Sequence, residues 1–105
     1  MLFRSGVFAQ TGSEKADSDG LVDYARSIDG VEIALLLEQM PNGVKGSLRA
    51  KTPDLKVNEI AESFGGGGHF AAAGFTAEGR TIEDFYEQIL STVKKHLQKF
   101  DSLKS

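Results

Sequence analysis

Residues 31–51, which read VEIALLLEQMPNGVKGSLRAK, decide the fold. Val31–Leu37 is almost wholly apolar, and this predicts a strand that is buried on both of its faces. Pro41-Asn42-Gly43 follows. Asn-Gly between two strand-like runs is a strong hairpin signal, because both residues tolerate a positive φ. Residues 44–51 then alternate between small or apolar and polar residues, as a strand with two unlike faces does. The stretch therefore predicts an antiparallel hairpin.

The register of this hairpin follows from its turn. If Asn42 and Gly43 are the two loop residues, Leu37 faces Leu48. In the same register Leu36 faces Arg49. One face of the second strand is then apolar, and the other carries Lys45, Ser47, Arg49 and Lys51.

Arg49 and Ser47 on this polar face are candidate anion-binding residues. A planar guanidinium can hold a phosphate with two hydrogen bonds. An ordinary solvated strand face would give the same pattern. The apolar neighbours expected on the adjacent strand favour a half-buried face, where an arginine gains from an anionic partner. Lys45 and Lys51 are interpreted as ordinary solvated lysines.

Four consecutive glycines, Gly65–Gly68, lie further along the chain. Because each glycine costs about 0.5–1 kcal/mol relative to alanine, four together need a reason. A flexible linker is one reading, but an amphipathic helix ending at Phe64 precedes them and an apolar run follows. The other reading is an anion cradle, built from backbone amides of Gly66, Gly67 and Gly68. His69–Ala73 would begin a short helix that faces the same anion, with His69 as a side-chain donor.

The remaining segments complete the predicted architecture. Residues 1–20 are interpreted as a linker or a stub of a preceding domain, residues 21–100 as the domain itself and residues 101–105 as a tail. A short helix is expected over residues 21–29. Thr81 and Asp84 predict a capping box that opens the last helix. The fold class is α/β, with a small mixed sheet covered by about three helices in a single domain. Asn58 is expected to cap its helix and His96 to lie near a helix end.

The composition excludes several kinds of protein. The 105-residue chain carries a formal net charge of −3, so any nucleic-acid contact should be local rather than a broad basic surface. It has no cysteine, which excludes disulfides and zinc sites built on cysteine. We expect no membrane partner. We expect the protein to be cytoplasmic. No grouping of carboxylates and histidines has metal-ligand spacing, so we expect no catalytic residue in this chain.

Together the residues resemble a known family. VKGSLRAK at 44–51 and VNEIAESFGGGGHFAAAGF at 57–75 are similar to the DHH-associated C-terminal domain of DHH phosphoesterases. The matching motif residues are Ser47, Arg49, Asn58, Gly66 to His69 and Ala72 to Gly74. The resemblance covers about residues 20 to 98.

The resemblance implies a function. In that family this domain closes over a separate catalytic domain, which bears Asp-His-His and binds two divalent metals, commonly manganese. Substrates are short oligonucleotides or nucleoside phosphates. The implied partners are therefore short nucleic acid or nucleotide phosphate and an N-terminal catalytic domain, with a homodimer left open. The implied phosphate-binding residues are Ser47, Arg49, Gly66, Gly67, Gly68, His69 and Ala72. Asp-His-His is missing from this chain, which favours a fragment, and no cofactor is expected on it.

Two other readings stay open. The C-terminal domain of alanyl-tRNA synthetase is related, so the chain could be a free-standing RNA-binding module. It could also be a structural or dimerising domain whose glycines serve only tight packing.

Overall fold

A five-stranded mixed sheet organises the part of the chain that the computed structural model describes, residues 6–12, 24–25 and 27–104. Its order is β1-β2-β3-β5-β4, with β1 parallel to β2 and the other neighbours antiparallel. The strands are β1 Val7–Gly12, β2 Ile33–Met40, β3 Gly43–Ala50, β4 Gly67–His69 and β5 Ala72–Glu78. A 3-10 turn at Pro53–Leu55 and two helices, α1 Val57–Glu62 and α2 Ile82–Lys104, complete it. The predicted α/β class is confirmed.

The β2–β3 hairpin is present, but its register differs from the predicted one by two residues. Leu35, not Leu37, lies opposite Leu48, because the loop is Pro41-Asn42 and Gly43 already belongs to β3. A Cβ at Gly43 would lie 2.4 Å from the Ala77 carbonyl oxygen, so close strand packing requires this glycine. A shift of two residues keeps every side chain on its predicted face.

One face of the sheet forms the main core beneath both helices. β2 and β3 contribute alternate side chains to it, and α2 contributes one apolar stripe. Three phenylalanine rings lie at its centre, with Phe64 5.1 Å from Phe75 and 5.2 Å from Phe85 between ring centroids. The buried residues of this core include Ile33, Leu35, Leu37, Leu48, Val57, Ile60, Phe75, Phe85, Ile89, Val93 and Leu97.

The opposite face is apolar only at the β1–β2 end. Val31, Ala34 and Leu36 pack there with Ala25, and Phe8 and Ile28 border the cluster. β2 is therefore buried on both faces, as predicted. At the β3–β5–β4 end the same face carries polar and small residues instead.

The capping box at the start of α2 is confirmed. The Asp84 amide donates to Thr81 Oγ1 at 3.2 Å, and the Thr81 amide donates to Asp84 Oδ2 at 3.2 Å. The Ile82 amide donates to Gln39 Oε1 at 2.8 Å, which ties the helix to the end of β2. The backbone groups that a helix N-terminus leaves unpaired are thus partly satisfied.

Several expectations differ from the structure. Val7–Gly12, assigned to a linker or stub, is a strand paired in parallel with β2. α2 continues to Lys104, because no glycine or proline stops it before the expected tail. The described residues contain two α-helices instead of about three. The expected helix over 21–29 lies partly outside the described residues, and within them Tyr24 and Ala25 are helical. Residues 13–20 lie outside the described residues altogether.

Two side chains also differ from their predicted roles. Asn58 does not cap α1, whose N-cap residue is Lys56; its amide donates to Glu62 Oε2 at 3.1 Å. His96 lies in the middle of α2, where its Nε2 donates a short hydrogen bond to the Leu55 carbonyl. Asn58 thus links neighbouring turns of α1, and His96 links α2 to the 3-10 turn.

Candidate phosphate-binding face

The strand pairing brings the predicted site residues of three strands together. Ser47 lies opposite Gly74, and Gly74 lies opposite Gly67 on the far side. Two residues further along β3, Arg49 pairs with Ala72. Ala72 in turn pairs with His69. Because directly opposite residues in a sheet share a face, these two rows form one surface. We call it the polar face, and its residues are Ser47, Arg49, Gly67, His69, Ala72 and Gly74.

A groove of about 610 Å³ runs over β3 and β5 beside the polar face. Ligand pockets in proteins have volumes of about 300–1,000 Å³, so this space suits a molecule of nucleotide size. Ser47, Arg49 and Gly66 line it, while Gly67, Gly68 and His69 do not. The groove is lined by Lys45, Gly46, Ser47, Arg49, Gly65, Gly66, Ala73, Gly74, Phe75, Thr76 and Glu78.

Ser47 is the buried polar residue of this groove. The residue is only 5% exposed, and it lines the groove. Arg49 beside it is half-buried, and its Nη1 donates to the Leu48 carbonyl at 3.0 Å. The groove therefore presents one hydroxyl and one guanidinium together.

The four glycines have different structural reasons. Gly65 has φ +84°, which favours glycine. A Cβ at Gly66 would lie 2.1 Å from the Gly74 carbonyl oxygen, and one at Gly68 would lie 2.6 Å from the Ala73 Cα. Gly67 alone has neither reason: its φ is not positive, and a Cβ there would meet no described atom within 4 Å. Packing thus explains much of the glycine run, but not Gly67.

The predicted amide cradle is not formed as expected. The Gly65 amide donates to the Glu62 carbonyl at 3.1 Å and the Gly66 amide to the Ala61 carbonyl at 2.8 Å. These bonds complete the end of α1. Gly67 and Gly68 then belong to β4, which pairs with β5. The glycine segment is consequently a helix end and a strand, not a loop that points several free amides at one anion.

The short helix expected from His69 is also wrong. Phe70 and Ala71 form the turn between β4 and β5, and Ala72 starts a strand of seven residues. Alanine favours helices locally, but here pairing with β3 and β4 overrides that preference. His69 consequently lies on β4 and is exposed, one strand beyond Ala72.

The structure adds groove residues that the sequence interpretation missed. Lys45, treated there as a solvated lysine, lines the groove opposite Thr76. Lys51 does not, since its Nζ donates to the Ile28 carbonyl at 3.2 Å. Gly74 lies between Ser47 and Gly67. Only the β3–β5 pairing reveals these positions, because no local pattern predicts which strand lies beside β3.

The described residues do not bring together any group of three or more histidine, aspartate or glutamate side chains that could hold a metal ion. The manganese that the family resemblance implies has no ligand set among them, and no chemical step is assigned to it here. Nor is any helix in the described part of the chain long and apolar enough to cross a membrane.

A model of the DHHA1 domain family matches residues 4–99. The chain belongs to this family. The DHHA1 chain is 35% identical over 88 residues to the bifunctional oligoribonuclease and PAP phosphatase NrnA of Thermus thermophilus. The match covers 84% of this chain but only 26% of NrnA, so the DHHA1 chain spans about a quarter of that relative.

Solved structures agree on the fold of the DHHA1 chain. An exopolyphosphatase-related protein from Bacteroides fragilis superposes with a TM-score of 0.73 at 24% identity, covering 98% of this chain and 32% of that one. The C-Ala domain of Aquifex aeolicus alanyl-tRNA synthetase gives a TM-score of 0.64 at 18% identity, covering 87% of this chain and 89% of that one. The DHHA1 assignment places the chain among the domains associated with DHH phosphoesterases.

Proposed function

We propose that this DHHA1 domain binds the phosphate of a nucleotide or short oligonucleotide on its polar face. The observation that carries the proposal is the convergence of Ser47 and Arg49 from β3 and His69 from β4 onto one surface, with β5 between the two strands. Chemical steps on the bound substrate are assigned to a separate catalytic domain. A two-metal manganese centre, if the parent protein has one, belongs to that domain.

Each residue has a chemical role in this proposal. Arg49 supplies two parallel hydrogen bonds to phosphate oxygens, and Ser47 supplies a hydroxyl beside it in the groove lining. His69 adds a donor from β4. Ala72 has a small side chain and Gly67 has none, so a phosphate can approach the sheet between the larger side chains. In this interpretation, glycine at position 67 leaves room for the phosphate, which is a reason that packing within the domain does not supply.

The family relationship supports the choice of ligand. NrnA, by its name, acts on oligoribonucleotides and on PAP. Both are nucleotide phosphates, and a groove of about 610 Å³ suits this class of molecule. The net charge of −3 favours a small local site over a broad basic surface.

Substitution of Arg49 tests the proposal. AMP is titrated into the 105-residue chain by calorimetry at constant ionic strength. We expect Arg49→Ala to weaken binding by about 10- to 100-fold, since a hydrogen bond to a charged group contributes about 1.5–3 kcal/mol. Arg49→Lys should recover only part of this, because an ammonium cannot make the two parallel bonds.

Lys95→Ala is the control, because it removes an exposed cation from α2, away from the polar face. Equal losses in Arg49→Ala and Lys95→Ala would show that only general charge matters and would contradict the proposal. Hydrolysis of AMP or of an oligonucleotide by the purified chain with manganese would contradict the assignment of chemistry to another domain.

Salt dependence separates this function from that of a free-standing RNA-binding module. A module that coats structured RNA releases many counterions, so its affinity falls steeply with salt. A single phosphate site should show a shallow slope. A steep slope with a folded RNA, together with no detectable AMP binding, would favour the RNA module.

A further inference from the structure

One flank of α2 carries two shallow depressions, of about 520 and 370 Å³, which share Glu87 in their linings. The first also touches β1 and the first turns of the helix, and the second extends to Gln98. From Glu83 to Gln98 the helix rises about 22 Å, at about 1.5 Å per residue. The two depressions thus form one trough along about four turns of α2.

The residues of this trough have a definite order of charge. They are spaced three or four apart and therefore lie along one side of the helix, and we call them the α2 stripe: Glu83, Glu87, Leu90, Lys94 and Gln98. Two acids come first, an apolar residue lies in the middle, and Lys94 follows with Lys95 beside it. Leu90 packs against the core but is only half-buried. An apolar contact is therefore available between the two charged ends.

The helix dipole does not account for this order. It favours acids in the first turn of a helix and lysines in the last, and its effect fades beyond those turns. Glu87 lies in the second turn of α2, and Lys94 lies ten residues before the end of the helix at Lys104. Glu87 and Lys94 are also seven residues apart, which is not the spacing of three or four that pairs side chains within one helix. The arrangement therefore needs another explanation.

The α2 stripe is complementary to itself when it is turned end to end. In an antiparallel pair of helices centred between Leu90 and Ser91, Glu87 of one copy lies opposite Lys94 of the other, because both are equally far from that centre. Glu83 lies one turn further out, within reach of the other copy's lysines. A parallel pair would instead place acid against acid. A two-fold interface requires a patch that fits itself, and the antiparallel arrangement meets this condition.

We propose that two copies of the domain associate through their α2 stripes, antiparallel, with Leu90 against Leu90 at the two-fold axis and a Glu87–Lys94 pair on either side. The helices cover the core face of the sheet, so this contact leaves both polar faces open. The inference therefore does not depend on the proposed function. A trough about 22 Å long and one helix wide buries less than the area of about 1,200–2,000 Å² in a stable interface, so the dimer should be weak and reversible.

The test mixes two charge-reversed copies of the chain and measures association by sedimentation equilibrium at low salt. The double variant Glu83→Lys/Glu87→Lys has a basic stripe, and Lys94→Glu/Lys95→Glu has an acidic one. Each alone should self-associate at least about tenfold more weakly than wild type, because like charges then face each other. An equimolar mixture of the two should form a one-to-one dimer at least as tightly as wild type, because every pair in it is again opposite in charge.

Lys99→Glu is the control, because Lys99 is an exposed lysine on the opposite flank of α2, outside both depressions. It should leave association close to that of wild type. Circular dichroism checks that each variant is folded. Should reversal of the half-buried Lys94 unfold the chain, Glu83→Lys is mixed with Lys95→Glu/Gln98→Glu, whose positions are all exposed, and the same pattern is expected.

Three results would overturn the inference: a wild-type chain that stays monomeric at every concentration, a mixture that associates no better than its components, or a Lys99→Glu variant weakened as much as the stripe variants. AMP affinity, measured on the same variants, should equal that of wild type throughout. Failure of the dimer with intact AMP binding leaves the proposed function standing, and a dimer without AMP binding leaves the α2 interface standing.

Discussion

The two faces of the sheet differ in what they require of the sequence. On the core face, β3 presents Leu48 to the main core, where almost every side chain is buried and apolar. On the polar face the same strand presents Ser47 and Arg49 beside a groove. Single-residue alternation along β3 thus separates the residues that stabilise the fold from those proposed to bind a ligand. Substitutions on the two faces should therefore have separable effects.

Phe85→Ala should have the largest effect on stability. Phe85 is fully buried and touches both other rings of the aromatic cluster, with centroid distances of 5.2 Å and 5.8 Å. Removing a buried phenylalanine ring costs about 3–5 kcal/mol. Urea unfolding measures this, and AMP affinity per folded molecule should stay unchanged. A small shift in the unfolding midpoint would show that the core face is not the source of stability.

The adjacent glycines allow a sharper comparison. Gly66→Ala places a Cβ 2.1 Å from the Gly74 carbonyl oxygen, and overpacking of this kind costs about 1–3 kcal/mol. Gly67→Ala meets no described atom within 4 Å, so stability should change by less than about 0.5 kcal/mol. Binding of AMP should nevertheless weaken in Gly67→Ala, because its new methyl group occupies the proposed phosphate path. If Gly67→Ala leaves binding intact, Gly67 has no part in the site.

The smallest effect concerns the cap of α2 and is visible through pH. The side chain of Arg80 donates a hydrogen bond to Asp84 at 2.7 Å, and this bond, with that of the Thr81 amide, lowers the pKa of Asp84 from its ordinary value of 3.8. The stabilisation is complete above pH 3.8 and is lost as the pH falls through the lower folded value. Asp84→Asn should therefore be less stable than wild type at pH 7, and the difference should shrink in acid.

Urea midpoints at pH 7 and in acid measure this difference. A gap between wild type and Asp84→Asn that stays constant across that range would contradict the role of the charge. AMP binding serves as the control, since Asp84 lies outside the groove lining.

Local chemistry made part of the fold predictable. The apolar run of β2, the alternation in β3 and the Thr81–Asp84 box each depend on near neighbours in the sequence, and the structure confirms all three. β1 was missed because a short parallel strand depends on a partner far along the chain. The β4–β5 hairpin was missed because an alanine run favours helix locally, and only its position beside β3 makes it a strand.

The candidate site was predictable to a similar degree. The residue types at Ser47, Arg49 and His69 indicate anion chemistry, and strand pairing brings them together. The predicted amide cradle is wrong because the amides of Gly65 and Gly66 donate hydrogen bonds to carbonyl groups at the end of α1. Gly66 also packs closely against β5. Lys45 was undervalued because a lysine on a strand face is usually solvated, and only the groove distinguishes it from Lys51.

Mapping AMP contacts by NMR on the isotopically labelled chain tests the central claim most directly. We predict that the largest shifts fall on Ser47, Arg49, Gly67, His69 and Gly74. Amides of the outer face of α2, such as that of Lys95, should stay still. Shifts confined to α2, or unchanged signals from β3, β4 and β5 at saturating AMP, would contradict a phosphate site on the polar face.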